Sequence, residues 1–145
     1  MKKLIILLFI SILSLSSINA KAKSITLGWA AWDPANALQE LTKEFTAETG
    51  IDVNFEFVPW PNFADRMLNE LNNKGKTFDL LIGDSQWIGA GAVYGHYVKL
   101  NDFFNKEGIS MNDFSPATVY AYSTWPKGSE NYYALPAMGD ALAWA

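Results

Sequence analysis

Between Ser24 and Val58 the chain reads SITLGWAAWDPANALQELTKEFTAETGIDVNFEFV, and the alternation of elements in this segment determines the fold class. Its first residues, SITLGWA, are rich in β-formers and predict a strand. Asp33 is predicted to be an N-cap, followed by Pro34 at the first helical position. Apolar residues at helical spacing continue up to Gly50, a residue typical of a helix C-terminus, so a helix is expected over Asp33–Thr49.

Three further segments continue this alternation. Ile51–Val58 has apolar residues on one face and polar residues on the other, which is typical of a strand at a sheet edge. After two prolines, Asn62–Asn72 predicts a second helix with an apolar stripe. Phe78–Ile82 is short and almost wholly apolar, which predicts a central parallel strand. The order strand, helix, strand, helix, strand predicts an α/β fold with an open, mainly parallel sheet.

Beyond Gly83 the pattern is less regular, as is common for loops that build sites. A short helix is predicted to begin near Gln86, and a surface loop is predicted over residues 125–131. Further short helices are predicted at 100–105 and 116–122, and strands at 132–135 and 139–145.

The first 22 residues have the features of a secretory signal peptide. Lys2 and Lys3 are followed by an apolar run from Leu4 to Leu15 and then by small residues around the expected cleavage point. Cleavage is expected after Ala20 or Ala22. The apolar run is shorter than the roughly 20 residues that span a bilayer, so no membrane insertion is expected after cleavage.

Composition limits the classes of partner. The formal net charge is −4, and without Lys2 and Lys3 there are 9 basic against 15 acidic residues, or −6. This acidic balance argues against nucleic acid and anionic membranes as partners. The chain has no cysteine, so it lacks the residue that anchors bacterial lipoproteins, and a soluble periplasmic protein is expected. The chain ends at Ala145 inside an apolar segment, which predicts a truncated protein.

Four segments follow one another in a distinctive order. They are the first strand leading into Trp32-Asp33, Gly50-Ile51-Asp52-Val53 followed by Val58-Pro59-Trp60, Phe78-Asp79-Leu80-Leu81, and Tyr133-Ala134-Leu135-Pro136 continuing to Asp140. Behind a signal peptide, this order resembles the family 1 extracellular solute-binding proteins, which include maltose-type and other sugar-binding proteins. Phe78 stands where that family usually has a proline.

The resemblance implies a periplasmic-binding-protein-like (type II) fold, in which two lobes enclose a ligand cleft. Residues 23–135 would form most of the first lobe, and residues 136–145 would begin the crossing to a second lobe that this chain lacks. The implied function is the extracytoplasmic component of an ABC importer, which binds a carbohydrate in the cleft without catalysis. It implies a monomer that needs no cofactor and whose partners are a small solute and the permease subunits.

In an open α/β sheet, ligands bind beyond the carboxyl ends of the strands. Three segments are expected to reach that edge: Trp32 and Asp33; Asp84, Ser85, Gln86 and Trp87; and Met138, Gly139 and Asp140. A sugar needs planar acceptors for its hydroxyls and an aromatic surface for its C–H faces. The loop Asp84–Trp87 offers both within four residues, whereas Asp140 is placed at the site only by the resemblance.

Several of these residues have a structural alternative. Asp33 is an N-cap, a ligand contact or both. Trp29 and Trp32 are expected to face opposite sides, with Trp29 in the core and Trp32 in the site. Trp60 is expected to pack over the second helix, and Asp79 is expected to be structural.

Other kinds of site find little support. The segment Gly89 to Gly95 (GAGAVYG) is one residue too long for a dinucleotide-binding motif and begins six residues beyond the strand, so its small residues are expected to permit close packing. His96 is the single histidine, so no metal site is expected. A G-x-S-x-G motif is absent from the sequence.

Two other functions stay open. The same fold is compatible with a polyamine, an organic acid or another small solute, although no cluster of Arg or Lys lies near the candidate loops. An exported carbohydrate-acting enzyme would need two carboxylates that flank one glycosidic bond. Asp33, Asp84 and Asp140 are the candidates for that role.

Overall fold

The computed structural model describes residues 23–139, so the predicted signal peptide and Asp140 lie outside the described residues. The strands are β1 (Lys23–Ala30), β2 (Ile51–Val58) and β3 (Leu80–Leu81). The helices are α1 (Asp33–Thr49), α2 (Trp60–Asn72), α3 (Ile88–Val93), α4 (Asn101–Glu107) and α5 (Pro116–Tyr122), with single 3₁₀ turns at Ser85–Trp87 and Met111–Asp113. Within this part of the chain, no helix is long and apolar enough to cross a bilayer.

The three strands form one parallel sheet in the order β2-β1-β3. All eight residues of β1 pair with β2, whereas only Leu27 and Gly28 pair with β3. The last four residues of β1 are buried, which fits its central position. The predicted α/β fold with an open parallel sheet is therefore confirmed, and β2 lies at an edge as its polar face indicated.

The prediction that 78–82 forms a central strand was wrong for the described sheet, in which β3 is an edge strand and Leu80 is 52% exposed. Hydrogen bonds to β1 begin at Asp79, whose N–H donates to the Thr26 carbonyl (2.8 Å) and whose carboxylate accepts from the Thr26 N–H (2.8 Å). They end where the Ile82 N–H donates to the carbonyl of Gly28 (3.0 Å). Asp79 thus anchors the start of β3, the structural role that was expected.

Helix α1 has the predicted bounds, but Trp32 rather than Asp33 is its N-cap. Trp32 is extended, and its carbonyl accepts from the N–H groups of Ala35 (3.1 Å) and Asn36 (3.3 Å). No side chain caps the helix, so the prediction of Asp33 as N-cap was wrong. Helix α2 begins at Trp60, two residues earlier than predicted, because a proline is tolerated in the first turn of a helix.

The predicted strand at 132–135 was also wrong. Tyr132 forms a single antiparallel bridge with Thr124, and its carbonyl accepts from the N–H of Leu100 (2.8 Å). The N–H of Tyr133 donates to the Ser123 carbonyl (2.8 Å) at the end of α5. These backbone groups are used by contacts with loops and helix ends, so no ladder forms. The strand predicted at 139–145 lies almost wholly outside the described residues.

A charged cluster joins β2, α2 and the turn before β3. Arg66 donates to Glu56 (3.0 Å) and to Glu70 (2.9 Å), and its guanidinium lies 4.9 Å from the centre of the Phe78 ring. Glu70 also accepts from the backbone N–H of Thr77 at 2.8 Å. The hydrogen bonds from Thr77 and Arg66 hold the pKa of the Glu70 carboxyl below its usual range, and the bond from Thr77 has the larger effect. The ionised form of Glu70 therefore stabilises the fold.

This cluster predicts a pH-dependent loss of stability in the variant Glu70→Gln. Because the pKa is lowered in the folded state, the stabilisation is present above the unfolded-state pKa, roughly 4.3, and is lost as the pH falls through the lower folded-state value. Urea unfolding of the complete protein should show a destabilised variant at neutral pH. The difference from wild type should shrink on acidification to roughly pH 3.

The matched control is Glu40→Gln, since Glu40 pairs only with Lys43 on an exposed helix surface. Its unfolding free energy should stay close to the wild-type value, as expected for exposed ion pairs. A Glu70→Gln variant whose destabilisation is the same at both pH values would contradict the assigned role of the carboxylate.

Candidate ligand-binding edge

The carboxyl ends of the three parallel strands open at one edge of the sheet, and a tryptophan follows each strand. Trp32 comes two residues after β1, Trp60 comes two residues after β2, and Trp87 lies in the 3₁₀ turn after β3. The ring centres of Trp32 and Trp60 are 5.8 Å apart. Phe63 links them to the third loop, since its ring centre lies 5.7 Å from Trp60 and 5.5 Å from Trp87. We call these four rings the aromatic edge.

The expectation that Trp29 and Trp32 face opposite sides was wrong. Their rings are in edge-to-face contact at 5.6 Å, with an interplanar angle of 88°. Trp29 belongs to the core as predicted, and Trp32 packs half-buried against it. The indole N–H of Trp32 is buried and has no hydrogen-bond acceptor among residues 23–139.

Asp33 lies exposed in the first turn of α1, beside Trp32 in the chain. Since it does not cap the helix, one of its two predicted roles is removed. An exposed carboxylate is able to accept two or more hydrogen bonds from a ligand. The position therefore remains suitable for a ligand contact.

The loop after β3 is ordered by Asp84. Its Oδ1 accepts from the N–H of Gln86 (3.2 Å) and from the hydroxyl of Ser85 (3.3 Å), so Asp84 caps the 3₁₀ turn. The other carboxylate oxygen, Oδ2, has no partner in the part of the chain that the structure describes. Asp84 thus orders the loop and leaves Oδ2 without a partner among residues 23–139, while Trp87 packs half-buried against the core.

An open depression of about 530 Å³ borders this loop. Its lining includes Ser85, Gln86, Tyr94, Trp125 and Lys127, but not Trp32, Asp33 or Met138. The amino group of Lys127 donates to the carbonyl of Ala121, and burial lowers its pKa. The depression is therefore lined by both polar and aromatic side chains, and the amino group of its one lysine already has a protein partner.

The described part of the crossing segment ends at Gly139. Met138 is 37% exposed and Gly139 is also exposed. A Cβ built on Gly139 would lie 3.3 Å from the Thr118 methyl in α5, so this part of the segment runs beside that helix. The structure does not bring Met138 or Gly139 into the lining of the depression, and both stay predictions as site residues together with Asp140.

Two tryptophans that were not predicted as site residues lie at the aromatic edge or beside the depression. Trp60 stacks on Phe63 of α2, as expected, but is 60% exposed, and Trp125, expected in a surface loop, lines the depression. The signal for Trp60 was its place two residues beyond the end of β2, which repeats the place of Trp32 beyond β1. Trp125 had no comparable signal, because its neighbours in the depression come from a distant part of the chain.

The small residues of α3 permit close packing, as predicted, although aromatic rings rather than a helix fill the space. A Cβ on Gly91 would lie 2.2 Å from the Tyr97 ring, and one on Gly89 would lie 2.9 Å from Trp125. The Tyr97 hydroxyl in turn lies near Gly83, at the start of the Asp84 loop. Burial raises the pKa of the Tyr97 hydroxyl, and the negative charge of Asp84 raises it further by a smaller amount. Tyr97 therefore packs between α3 and the start of the Asp84 loop and helps to hold the loop in place.

Comparison with known proteins places this geometry in a family. The family model of the bacterial extracellular solute-binding proteins matches residues 31–143. No curated protein matches the chain.

Three of the solved structures with a similar fold illustrate this. An ABC transporter solute-binding protein from Agrobacterium radiobacter K84, in complex with ribitol, is 24% identical with a TM-score of 0.66 over 76% of this chain and 27% of that one. The GacH receptor of Streptomyces glaucescens GLA.O, solved unliganded and with acarbose, is 17% identical with a TM-score of 0.60 over 77% of this chain and 28% of that one.

The third is a periplasmic solute-binding protein from Pectobacterium atrosepticum SCRI1043, which is 18% identical with a TM-score of 0.56 over 72% of this chain and 26% of that one. The chain thus spans little more than a quarter of the length of these structures. They confirm the predicted fold, that of the periplasmic-binding-protein-like solute-binding proteins.

The contact of Gly91 with Tyr97 predicts that Gly91→Ala destabilises the complete protein by roughly 1–3 kcal/mol, because the added methyl overpacks the ring. Without the ring, alanine should be neutral or stabilising, since it favours a helix over glycine by up to about 1 kcal/mol. Urea unfolding of the two single variants and of Gly91→Ala with Tyr97→Ala measures this coupling. Additive effects would contradict the contact.

Proposed function

This chain belongs to the bacterial extracellular solute-binding proteins, and from that premise we propose that the complete protein captures a carbohydrate for an ABC importer. It binds the solute stoichiometrically and releases it unchanged to the permease subunits, which are its protein partners. The observation that carries the choice of a carbohydrate is the aromatic edge, with carboxylates beside it in two of the three loops.

The chemistry of this edge suits a neutral, hydroxyl-rich ligand. Trp32 and Trp87 supply apolar surface for C–H groups, while Asp33 and Asp84 supply acceptors for hydroxyls. Gln86 is exposed and adds one amide that both donates and accepts. Ser85 and the crossing residues Met138, Gly139 and Asp140 complete the proposed set.

Charge also favours a neutral solute over an anion. The segments 31–33, 59–62 and 83–87 contain no Lys or Arg. Lys127 borders the depression, but its amino group already donates to a backbone carbonyl. An anionic ligand normally needs paired cationic donors, so a carbohydrate is preferred to an organic acid.

The ligands of similar proteins point the same way. The Agrobacterium protein was solved with ribitol and the Streptomyces receptor with acarbose. Both compounds present many hydroxyl groups, which require the carboxylate and amide acceptors described above. Which sugar binds depends on the part of the complete protein outside this chain as well as on this edge.

Residues 1–22 act as a signal peptide that directs a monomer without a lipid anchor to the periplasm. Residues 23–135 form most of the first lobe, and 136–145 begin the crossing to the second. Closure of two lobes around the sugar is the conformational signal that the permease recognises, as in other periplasmic binding proteins.

The proposal predicts a thermal shift of the complete mature protein with one class of sugar. A ligand at about 100 times its dissociation constant stabilises a protein by roughly 2.7 kcal/mol. Monosaccharides, oligosaccharides, polyols, polyamines and organic acids form the panel, and chromatography of the added ligand detects turnover. A thermal shift with only a polyamine or an organic acid would refute the proposal that the ligand is a carbohydrate. Formation of a product from the added ligand would indicate an enzyme.

Variants at the edge should then lower affinity without lowering stability. Asp33→Asn removes an exposed carboxylate that makes no cap bond, so the dissociation constant should rise by roughly tenfold through loss of a charged acceptor. Glu44→Gln is the matched control, because Glu44 is exposed in the middle of α1, away from the edge. Equal affinities for wild type and both variants would remove Asp33 from the site.

A further inference from the structure

The side chain of Asn101 joins two segments that are distant in the sequence. Asn101 is the first residue of α4. Its Nδ2 donates to the carbonyl of Glu130 (2.7 Å), 29 residues away, and its Oδ1 accepts from the backbone N–H of Tyr132 (3.0 Å), 31 residues away. The donor and the acceptor of one amide are therefore both used on the same short stretch of backbone.

The segment that Asn101 binds, residues 130–133, is also held by its neighbours. The N–H of Leu100 donates to the carbonyl of Tyr132 (2.8 Å), and Tyr132 forms its antiparallel bridge with Thr124. The ring of Tyr132 lies 6.1 Å from the ring of Phe104, which is only 4% exposed. All of these contacts are made within residues 100–133, so they do not depend on the remainder of the protein.

The amide of Asn101 extends a backbone pairing that the helix would otherwise end. Leu100 pairs with Tyr132 through its backbone, but α4 begins at the next residue and its backbone turns away into helical hydrogen bonds. A carboxamide carries the same donor and acceptor as a peptide group, so the Asn101 side chain continues the pairing. An aspartate would offer only acceptors, and an alanine would offer neither group.

The segment fixed in this way leads directly into the crossing residues of the proposed site. Met138 follows Tyr133 by five residues, and Gly139 runs beside α5, where a Cβ would lie 3.3 Å from the Thr118 methyl. The chain that carries Met138 therefore lies between two fixed points, and the first of them is held by Asn101.

A binding segment that is already in place when the ligand arrives loses less conformational entropy on binding. We propose that Asn101 is a positioning residue of the sugar site, whose two hydrogen bonds determine where Met138 and Gly139 lie. The inference rests on the proposed function, in which Met138 and Gly139 contact the carbohydrate. It adds a residue of α4, outside the loops at the strand ends, to those that determine affinity.

The test measures the affinity of the complete protein for a saccharide or polyol. Titration calorimetry with glucose, maltose, cellobiose, xylobiose and ribitol identifies a compound that wild type binds, and the same compound is used for every variant. Asn101→Ala should raise its dissociation constant about tenfold, the order expected when one more residue must be ordered on binding. Asn105→Ala is the matched control, since Asn105 is exposed on the same helix, and its affinity should equal that of wild type.

The variant Asn101→Asp tests the hydrogen bonds themselves. At neutral pH its carboxylate still accepts from the N–H of Tyr132 but is unable to donate to the carbonyl of Glu130. A protonated carboxyl donates again at roughly pH 4. The dissociation constant of the variant, divided by that of wild type at the same pH, should therefore fall toward one on acidification. A ratio that stays constant or rises would contradict the assigned role of the amide.

A double-mutant cycle separates positioning from a general effect on the fold. If Asn101 acts through Met138, the loss of affinity caused by Asn101→Ala should be smaller in a Met138→Ala background, where that contact is already removed. It should be unchanged in an Asp33→Asn background, because Asp33 lies on α1. An equal loss in all three backgrounds, or no loss in any, would overturn the inference.

Failure of the proposed function has a different result. If wild type binds none of the five compounds, the carbohydrate proposal is refuted, and the positioning role of Asn101 with it. If wild type binds one of them and Asn101→Ala binds it equally well, only the positioning role is refuted.

Discussion

The parallel pairing of β1 with both of its neighbours is the constraint on which the rest of this structure depends. Because β1 pairs along its whole length with β2 and through Leu27 and Gly28 with β3, three loops leave the sheet at the same edge. In an antiparallel arrangement the second loop would open at the opposite edge. Only the parallel arrangement brings Trp32, Trp60 and Trp87 within reach of one another.

In the aromatic edge, the residues of the proposed binding surface also take part in packing. Phe63 is almost fully buried, yet it contacts both exposed Trp60 and half-buried Trp87. The buried indole N–H of Trp32, which lacks an acceptor within residues 23–139, costs on the order of 1–3 kcal/mol. A fold keeps such features more readily where they serve a ligand than where they serve stability alone.

Local signals made part of the fold predictable. The bounds of α1 and α5 agree with prediction, because proline and glycine mark helix ends within a few residues. The bounds of β3 and the absence of a strand at 132–135 depend on backbone partners far away in the chain. The N-cap of α1 proved to be Trp32 rather than the predicted Asp33, because Trp32 is the extended residue, and this removed the capping role of Asp33.

The candidate site was predictable only in outline. The Asp84 loop was identified because a polar segment directly after an apolar strand is expected at the carboxyl edge, and the structure shows how Asp84 orders it. The exposure of Trp60 and the approach of Trp125 to Gly89 arise from tertiary packing, which no local pattern encodes. The placement of Gly139 beside α5 likewise depends on contacts between distant segments.

A crystal structure of the complete protein with its bound solute would test the proposed site most directly. We expect the solute to lie beyond the carboxyl ends of β1 and β3 and to contact Trp32 or Trp87 with its apolar face. Its hydroxyls should lie within hydrogen-bonding distance of Asp33 or Asp84. A solute bound at the opposite edge of the sheet, or without contact to any of these side chains, would contradict it.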